Sequence, residues 1–303
     1  MRGVLSWKRA PARLPSVKHR QRLRVAKAVI MAGMLMPLAA AISGATDPPV
    51  PAGRNPGGYP VAIISGGIDY TVRNIPRMLA RDGEGEIIGY DLVDDDRRPY
   101  ATGPETDAAE ILLGEGQAAT LVVVRTAVLD QQKLAAAIGY AAQSPARIIA
   151  IFASAGDPGV AAVLAAASQK FPQHLFIASL DAGAAADIGT TRAANLLIVT
   201  NANAGDIPSG GARDVVPTAD VAIETSGLWE RPAALPEAPA PPAQIALART
   251  AALAARLIAV DTRATAAELK SRIVALAEPL PEARKFLSQN GWIAEPRRHF
   301  WLE

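Results

Sequence analysis

The sequence contains no cysteine in 303 residues. That absence excludes a disulfide framework, a thiolate nucleophile and any cysteine-bound metal. Histidine is nearly as scarce, with only His19, His174 and His299. A mechanism that needs an imidazole to move protons near neutral pH therefore has very few side chains to draw on. The first 45 residues lack Asp and Glu altogether while holding nine of the 31 Lys/Arg, which leaves 22 basic against 29 acidic residues in the remainder. The basic balance of the chain thus belongs to its leader and does not indicate nucleic-acid binding. There is no internal repeat, no Walker loop and no metal motif. Ser65-Gly-Gly lacks the third glycine and the spacing of a dinucleotide fingerprint, so no cofactor is expected.

What the chain does have begins with that leader. Basic residues up to Lys27 are followed by the apolar run 28–42 and by small residues at Ser43 and Ala45. A basic region, an apolar region and a small-residue cleavage site predict a signal peptide over 1–45, cut after Ala45 or Ala41. The alternative is an uncleaved N-terminal anchor over 28–45, at about 18 residues slightly short of the ~20 that span a bilayer. Either reading places the rest outside the cytoplasm, periplasmic or extracellular, with membrane contact only through 28–45 if the leader is kept. Residues 46–60 are rich in Pro and Gly and predict a linker.

Beyond the linker, apolar runs alternate with helical patterns, as a doubly wound α/β sheet with helices on both faces requires. Val61-Ala-Ile-Ile-Ser-Gly-Gly-Ile-Asp-Tyr-Thr71 reads as a buried strand ending in a glycine turn. In such sheets chemistry sits at the carboxyl ends of strands, which is where Ser65 falls. Further strands are predicted over 119–125 and 147–153, and two more strand segments over 174–183 and 195–203. Asp130 caps a helix running to Ala142, and Asp157-Pro158 opens one running to Phe171. A helix over 241–260 is apolar nearly all round, with Arg249 and Arg256 on one polar stripe, which predicts a core helix rather than a membrane span. Thr265-Ala-Ala-Glu268 is a capping box opening another helix. Residues 281–303 form a C-terminal extension that packs on the domain or meets a partner.

Residues 61–71 resemble the subtilase pattern V-A-V-I-D-[ST]-G-[IV]-D-Y-[TS]. Gly89-Tyr-Asp-Leu-Val-Asp-Asp-Asp96 resembles the family's G-Y-[DN]-F-[VI]-D-[DN]-D, and Thr102-Gly-Pro-Glu-Thr-Asp-Ala-Ala-Glu-Ile-Leu-Leu-Gly114 keeps the frame of its histidine motif. His174-Leu-Phe-Ile-Ala-Ser-Leu-Asp-Ala-Gly183 and Thr265-x-x-Glu-Leu-Lys-Ser-Arg-Ile resemble later family segments in the family's order. The resemblance, over about 61–280, is to subtilisin-like serine peptidases, and it implies their three-layer α/β/α fold with a mostly parallel sheet. It also places Ser65 at the triad aspartate, Pro104 at the triad histidine, Asp181 at the oxyanion-hole asparagine and about Pro239 at the nucleophilic serine. No serine occurs between Ser226 and Ser271, whatever the frame. Proline accepts no proton, and an ionised Asp181 would repel a developing oxyanion.

These substitutions lead to the expectation of an exported subtilase homologue without triad catalysis, acting by binding a peptide or protein partner. A hydrolase using displaced residues, such as Ser65 or Ser226 with a base from elsewhere, is a second reading. A two-lobed periplasmic α/β ligand-binding protein that merely shares strand vocabulary is a third. Asp94, Asp95 and Asp96 are expected to form a solvated turn and not a Ca²⁺ site, because adjacent carboxylates point apart. His174 and His299 are expected at the surface.

Overall fold

A computed structural model describes residues 47–181, 192–203, 218–226, 239–294 and 296. Eight parallel strands form one sheet: β1 (Tyr59–Ser65), β2 (Tyr90–Asp91), β3 (Ala119–Arg125), β4 (Ile148–Ser154), β5 (Leu175–Leu180), β6 (Leu196–Asn201), β7 (Val221–Ile223) and β8 (Trp292–Ile293), in the order β2-β3-β1-β4-β5-β6-β7-β8. Helices cover both faces, so the expected doubly wound α/β architecture is present. The central strands read as unbroken apolar runs because both of their faces are buried. In β1, Val61 and Ile63 join the core of one face while Ala62 and Ile64 join the core of the other.

One helical layer contains α1 (Ile75–Met78), α2 (Pro104–Gly116), α5 (Pro242–Val260) and α6 (Ala266–Ala275); the other contains α3 (Gln131–Gln143) and α4 (Pro158–Lys170). Local chemistry starts these helices where the sequence says. Asp130 Oδ1 accepts from the amides of Gln132 and Lys133, and Asp157 Oδ1 from those of Gly159 and Val160. Each such cap contributes about 1 kcal/mol. Thr265 and Glu268 close both halves of the capping box.

The single sheet, with no division into two lobes among the described residues, removes the two-lobed alternative. Residues 47–58 carry no regular structure but lie on the domain. The Tyr70 hydroxyl donates to Pro48 O at 2.6 Å, and Arg81 reaches Pro51 O at 2.6 Å while its own carbonyl accepts from Asn55. At the other end Trp292 and Ile293 add an edge strand beside β7.

Helix α5 is the one described helix long and apolar enough to cross a membrane, and 67% of that window is buried in the fold. Its two arginines, expected on one polar stripe of a core helix, are both buried. Arg249 is 1% exposed; its Nε lies 3.2 Å from Glu115 Oε1 of α2, and its Nη1 donates to Glu224 O at 2.5 Å. Arg256 donates to Glu115 O and to Pro296 O, each at 2.5 Å. Helix α5 is thereby tied to α2, to the chain just after β7 and to the C-terminal extension. Removing one partner of a buried pair leaves an uncompensated charge, at a typical cost of about 3–5 kcal/mol. Glu115→Ala is expected to destabilise the protein by that amount in urea denaturation, with much of the loss recovered in the Glu115→Leu/Arg249→Met double variant.

His174 is a correction to the surface expectation, since it is 5% exposed at the amino end of β5. Its ring lies between those of Phe171 and Phe176, with centroids 6.2 and 6.4 Å away. Nδ1 is buried without a hydrogen-bond partner among the described residues. Burial and then the nearby Arg147 charge hold its pKa below the ordinary value. The folded state therefore binds fewer protons than the unfolded one once pH falls below about 6.5. Its contribution is intact above that pH and is lost as pH drops from there toward the lowered folded value. The midpoint of urea unfolding is expected to fall between pH 7.5 and 5, and His174→Phe to flatten that dependence.

Candidate functional site

The carboxyl edge of the sheet is where the strands deliver their last side chains. Ser65 ends β1, Arg125 ends β3, Ser154 ends β4, Asp181 follows β5, Asn201 ends β6 and Glu224 follows β7. The amino ends of α2 and α5 open onto the same edge, bringing Pro104 and Pro239 to it. The two helix starts meet through Gln244 and Glu105, Nε2 to Oε1 at 3.5 Å. The loop after β1 joins α2 through the Asp69 amide, which donates to Thr106 Oγ1 at 2.9 Å. The four positions singled out by the resemblance thus lie on one rim, although among the described residues no hydrogen bond joins one of their side chains to another.

Each has a definite environment. Ser65 is completely buried. Its hydroxyl accepts from the Gly67 amide at 3.0 Å and its carbonyl from the Thr126 amide at 2.9 Å. A hydroxyl without exposure and without a base beside it is poorly placed for nucleophilic attack. Pro104 is the first residue of α2, where its missing N–H costs nothing and its fixed φ suits the helix. Asp181 is exposed and takes one long hydrogen bond from Ser154 Oγ at 3.5 Å. Pro239 is exposed just ahead of α5, while residues 227–238 lie outside the described residues.

Ser226 follows β7, and its amide donates to Glu224 Oε1 at 2.7 Å. Burial raises the Glu224 carboxyl, but donors from Ser226, Asn203 and Thr225 outweigh it and hold the group below the usual range. Glu224 is thus a stabilised anion, free to accept a proton but too weakly basic to serve well as a general base near neutral pH. His174 stands at the opposite edge, separated from Asp181 by the six residues of β5, roughly 20 Å. His299 lies outside the described residues.

Sequence reasoning missed the most highly charged part of this rim. Asp91, completely buried at the end of β2, receives Arg125 Nη1 at 2.6 Å, and the same guanidinium pairs with Asp94. Arg125 Nε also donates to Gly66 O at 3.2 Å, so this pair braces the loop that carries Ser65. The available signal was a lone charge closing an otherwise apolar strand. The three aspartates expected in a solvated turn do diverge: Asp94 turns to Arg125, Asp95 accepts from the Tyr90 hydroxyl at 2.8 Å and Asp96 pairs with Arg98. Asp47, Asp91 and Asp94 bring one carboxylate oxygen each within 4.8 Å of one another. Arg125 pairs with two of the three, Asp91 and Asp94, so the protein's own cation already offsets much of the charge that a divalent ion would need as part of a hard oxygen cage.

The turn after Ser65 tolerates little change. Gly67 has φ +111°, and a Cβ there would come within 2.8 Å of Ala101 Cβ and 2.9 Å of Arg125 Cδ. Gly67→Ala is expected to cost about 1–3 kcal/mol in thermal or urea unfolding. Gly66, with no atoms within 4 Å of its added Cβ, is the control that loses little.

No family model matches the chain, and no curated protein sequence matches it. Solved structures do. A lanthipeptide protease aligns over 80% of this chain and 88% of its own at 15% identity, with a TM-score of 0.55. The prenylagaramide maturation protease PagA aligns over 80% and 93% at 17% identity, with a TM-score of 0.52. A structure described as the subtilase cytotoxin SubAB assembly aligns over 80% and 89% at 15% identity, with a TM-score of 0.56. At such identities the likeness concerns the backbone, and on that ground the chain has the subtilisin-like protease fold.

Proposed function

We propose that this protein is an exported subtilisin-fold component without serine-peptidase chemistry, which recognises a peptide or protein along the carboxyl edge of its sheet. The observation that carries the reading is the chemistry of that edge. It offers a buried Ser65 at the end of β1, Pro104 and Pro239 at the two helix starts and an exposed carboxylate at Asp181. His174, the histidine among the described residues, belongs to the far edge. A serine hydroxyl is a weak nucleophile unless a base takes its proton, and loss of triad members leaves only residual acceleration.

A groove can outlive its catalysis, because shape and main-chain complementarity recognise peptides without any proton transfer. Export is supported by the basic, apolar and small-residue order of Met1–Ala45. The displaced-residue hydrolase is disfavoured by the burial of Ser65 and by the weak basicity of the Glu224 carboxylate beside Ser226.

The test is fluorophosphonate labelling of the purified protein together with casein cleavage. The expected outcome is no labelled serine and no turnover from a sample whose cooperative unfolding shows it to be folded. Stoichiometric labelling of one serine with turnover would overturn the reading and identify the nucleophile.

A further inference from the structure

The half of α2 farther from the carboxyl edge forms, with α1 and the turn before it, a cavity of about 480 Å³. That volume lies toward the small end of the range for ligand pockets. Its apolar lining is aliphatic, with Ile75 and Met78 from α1 and Leu113 from α2, and no aromatic ring joins them among the described residues. Such walls suit a flexible alkyl chain better than a flat ring, and the unbranched Met78 can adjust to it.

The charges point to one kind of head group. Arg73 pairs with Glu110 at 2.5 Å, so those two offset each other. Arg77 is exposed at the cavity, makes no ion pair among the described residues and leaves one positive charge over. The side-chain amides of Asn74 and Gln117 line the same cavity and have no hydrogen bond among the described residues. One surplus cation with neutral donors around aliphatic walls matches a monoanion that carries an alkyl chain.

The backbone is shaped around this space. Of the three non-glycine residues with positive φ among the described residues, Arg73 and Gln117, each at +49°, line the cavity. Strain of this kind gathers where a structure is shaped for a contact. Gly114 stands inside α2 at the cavity wall, where alanine would favour the helix, yet an added Cβ there meets no atom within 4 Å. Close packing therefore does not explain the glycine, whereas its missing side chain keeps the cavity open. Glu110 and Gln117 mark its extent along α2, roughly 10 Å. An extended chain advances roughly 1.2 Å per bond, so about eight carbons span that length.

We propose that the α1–α2 cavity binds a medium-chain alkyl carboxylate, with the chain against Ile75, Met78 and Leu113 and the carboxylate held by Arg77. The site is separate from the carboxyl edge and does not depend on whether that edge is catalytic.

Octanoate is the probe, titrated calorimetrically into the purified full-length protein. The expected result is saturable one-to-one binding in the millimolar range, which is what a ligand of so few atoms allows. Octan-1-ol, the same chain without the charge, is expected to bind at least about tenfold more weakly, and Arg77→Gln to weaken octanoate by about the same factor. Gly114→Leu fills the cavity and is expected to abolish binding while keeping or raising the unfolding midpoint, because leucine is the better helix former. Gly139→Leu, at a glycine of α3 whose added Cβ is equally unobstructed, is the control that keeps binding. Absence of saturation, equal binding of octan-1-ol, or octanoate binding unchanged by Arg77→Gln or by Gly114→Leu would overturn the proposal. So would tighter binding of a short peptide ending in leucine, which would make the cavity a seat for a chain terminus instead.

Discussion

The constraint on which the structure most depends is the burial of α5. Twelve of its nineteen residues are buried, and two of those are arginines. A helix so apolar must lie inside, and its cations can follow it only if anions and carbonyls wait for them. Glu115 of α2 meets Arg249, while the carbonyls of Glu115, Glu224 and Pro296 receive the guanidinium hydrogens. Hydrophobic burial alone would let α5 slide or rotate, because alanine surfaces are nearly featureless. The guanidinium contacts fix its depth and rotation against α2 and the end of β7. Since α2 and α5 both start at the carboxyl edge, that setting also fixes the shape of the candidate groove.

The other face follows different rules. Helices α3 and α4 are set by aspartate caps at their starts and by apolar contacts with the sheet, and no buried ion pair among the described residues is needed there. Polar economy recurs at the amino edge. Asp220 is 4% exposed, and its Oδ1 lies 2.9 Å from Arg192 and 3.2 Å from Lys270 while Oδ2 accepts from the Ile198 amide. Burial pushes the Lys270 ammonium below its usual range, with Asp220 acting against that shift. The sheet is thus pinned at both edges by charge and filled between them by aliphatic packing.

Much of this was legible in sequence. Runs such as Leu121 to Val124 and Ile148 to Phe152 announce strands buried on both faces, and Asp130, Asp157 and the Thr265–Glu268 box announce helix starts through bonds only two or three residues long. What stayed hidden depends on residues far apart in the chain. The pair Asp91–Arg125 spans 34 positions, and no local pattern distinguishes it from two surface charges. His174 reads as a polar residue opening a strand, yet Phe171, Phe176 and the returning Asn195 amide close around it. Strands of two residues, β2 and β8, are too short to carry any period. At the candidate site the identity of the side chains was readable, but the burial of Ser65 and the meeting of the two helix starts were not.

Those side chains are each explained by the local structure that carries them. Active sites commonly hold polar groups in strained or poorly satisfied positions, at a cost in stability. Pro104 instead presets the first turn of α2 and removes an N–H that would have had no partner. Ser65 satisfies the Gly67 amide with its own hydroxyl, closing the turn after β1 from within. Asp181 lies exposed at the rim. None of these choices asks for compensation elsewhere, and none sets up a proton relay. Pro104 and Ser65 are each kept in place by the stability they lend to the helix or turn that carries them.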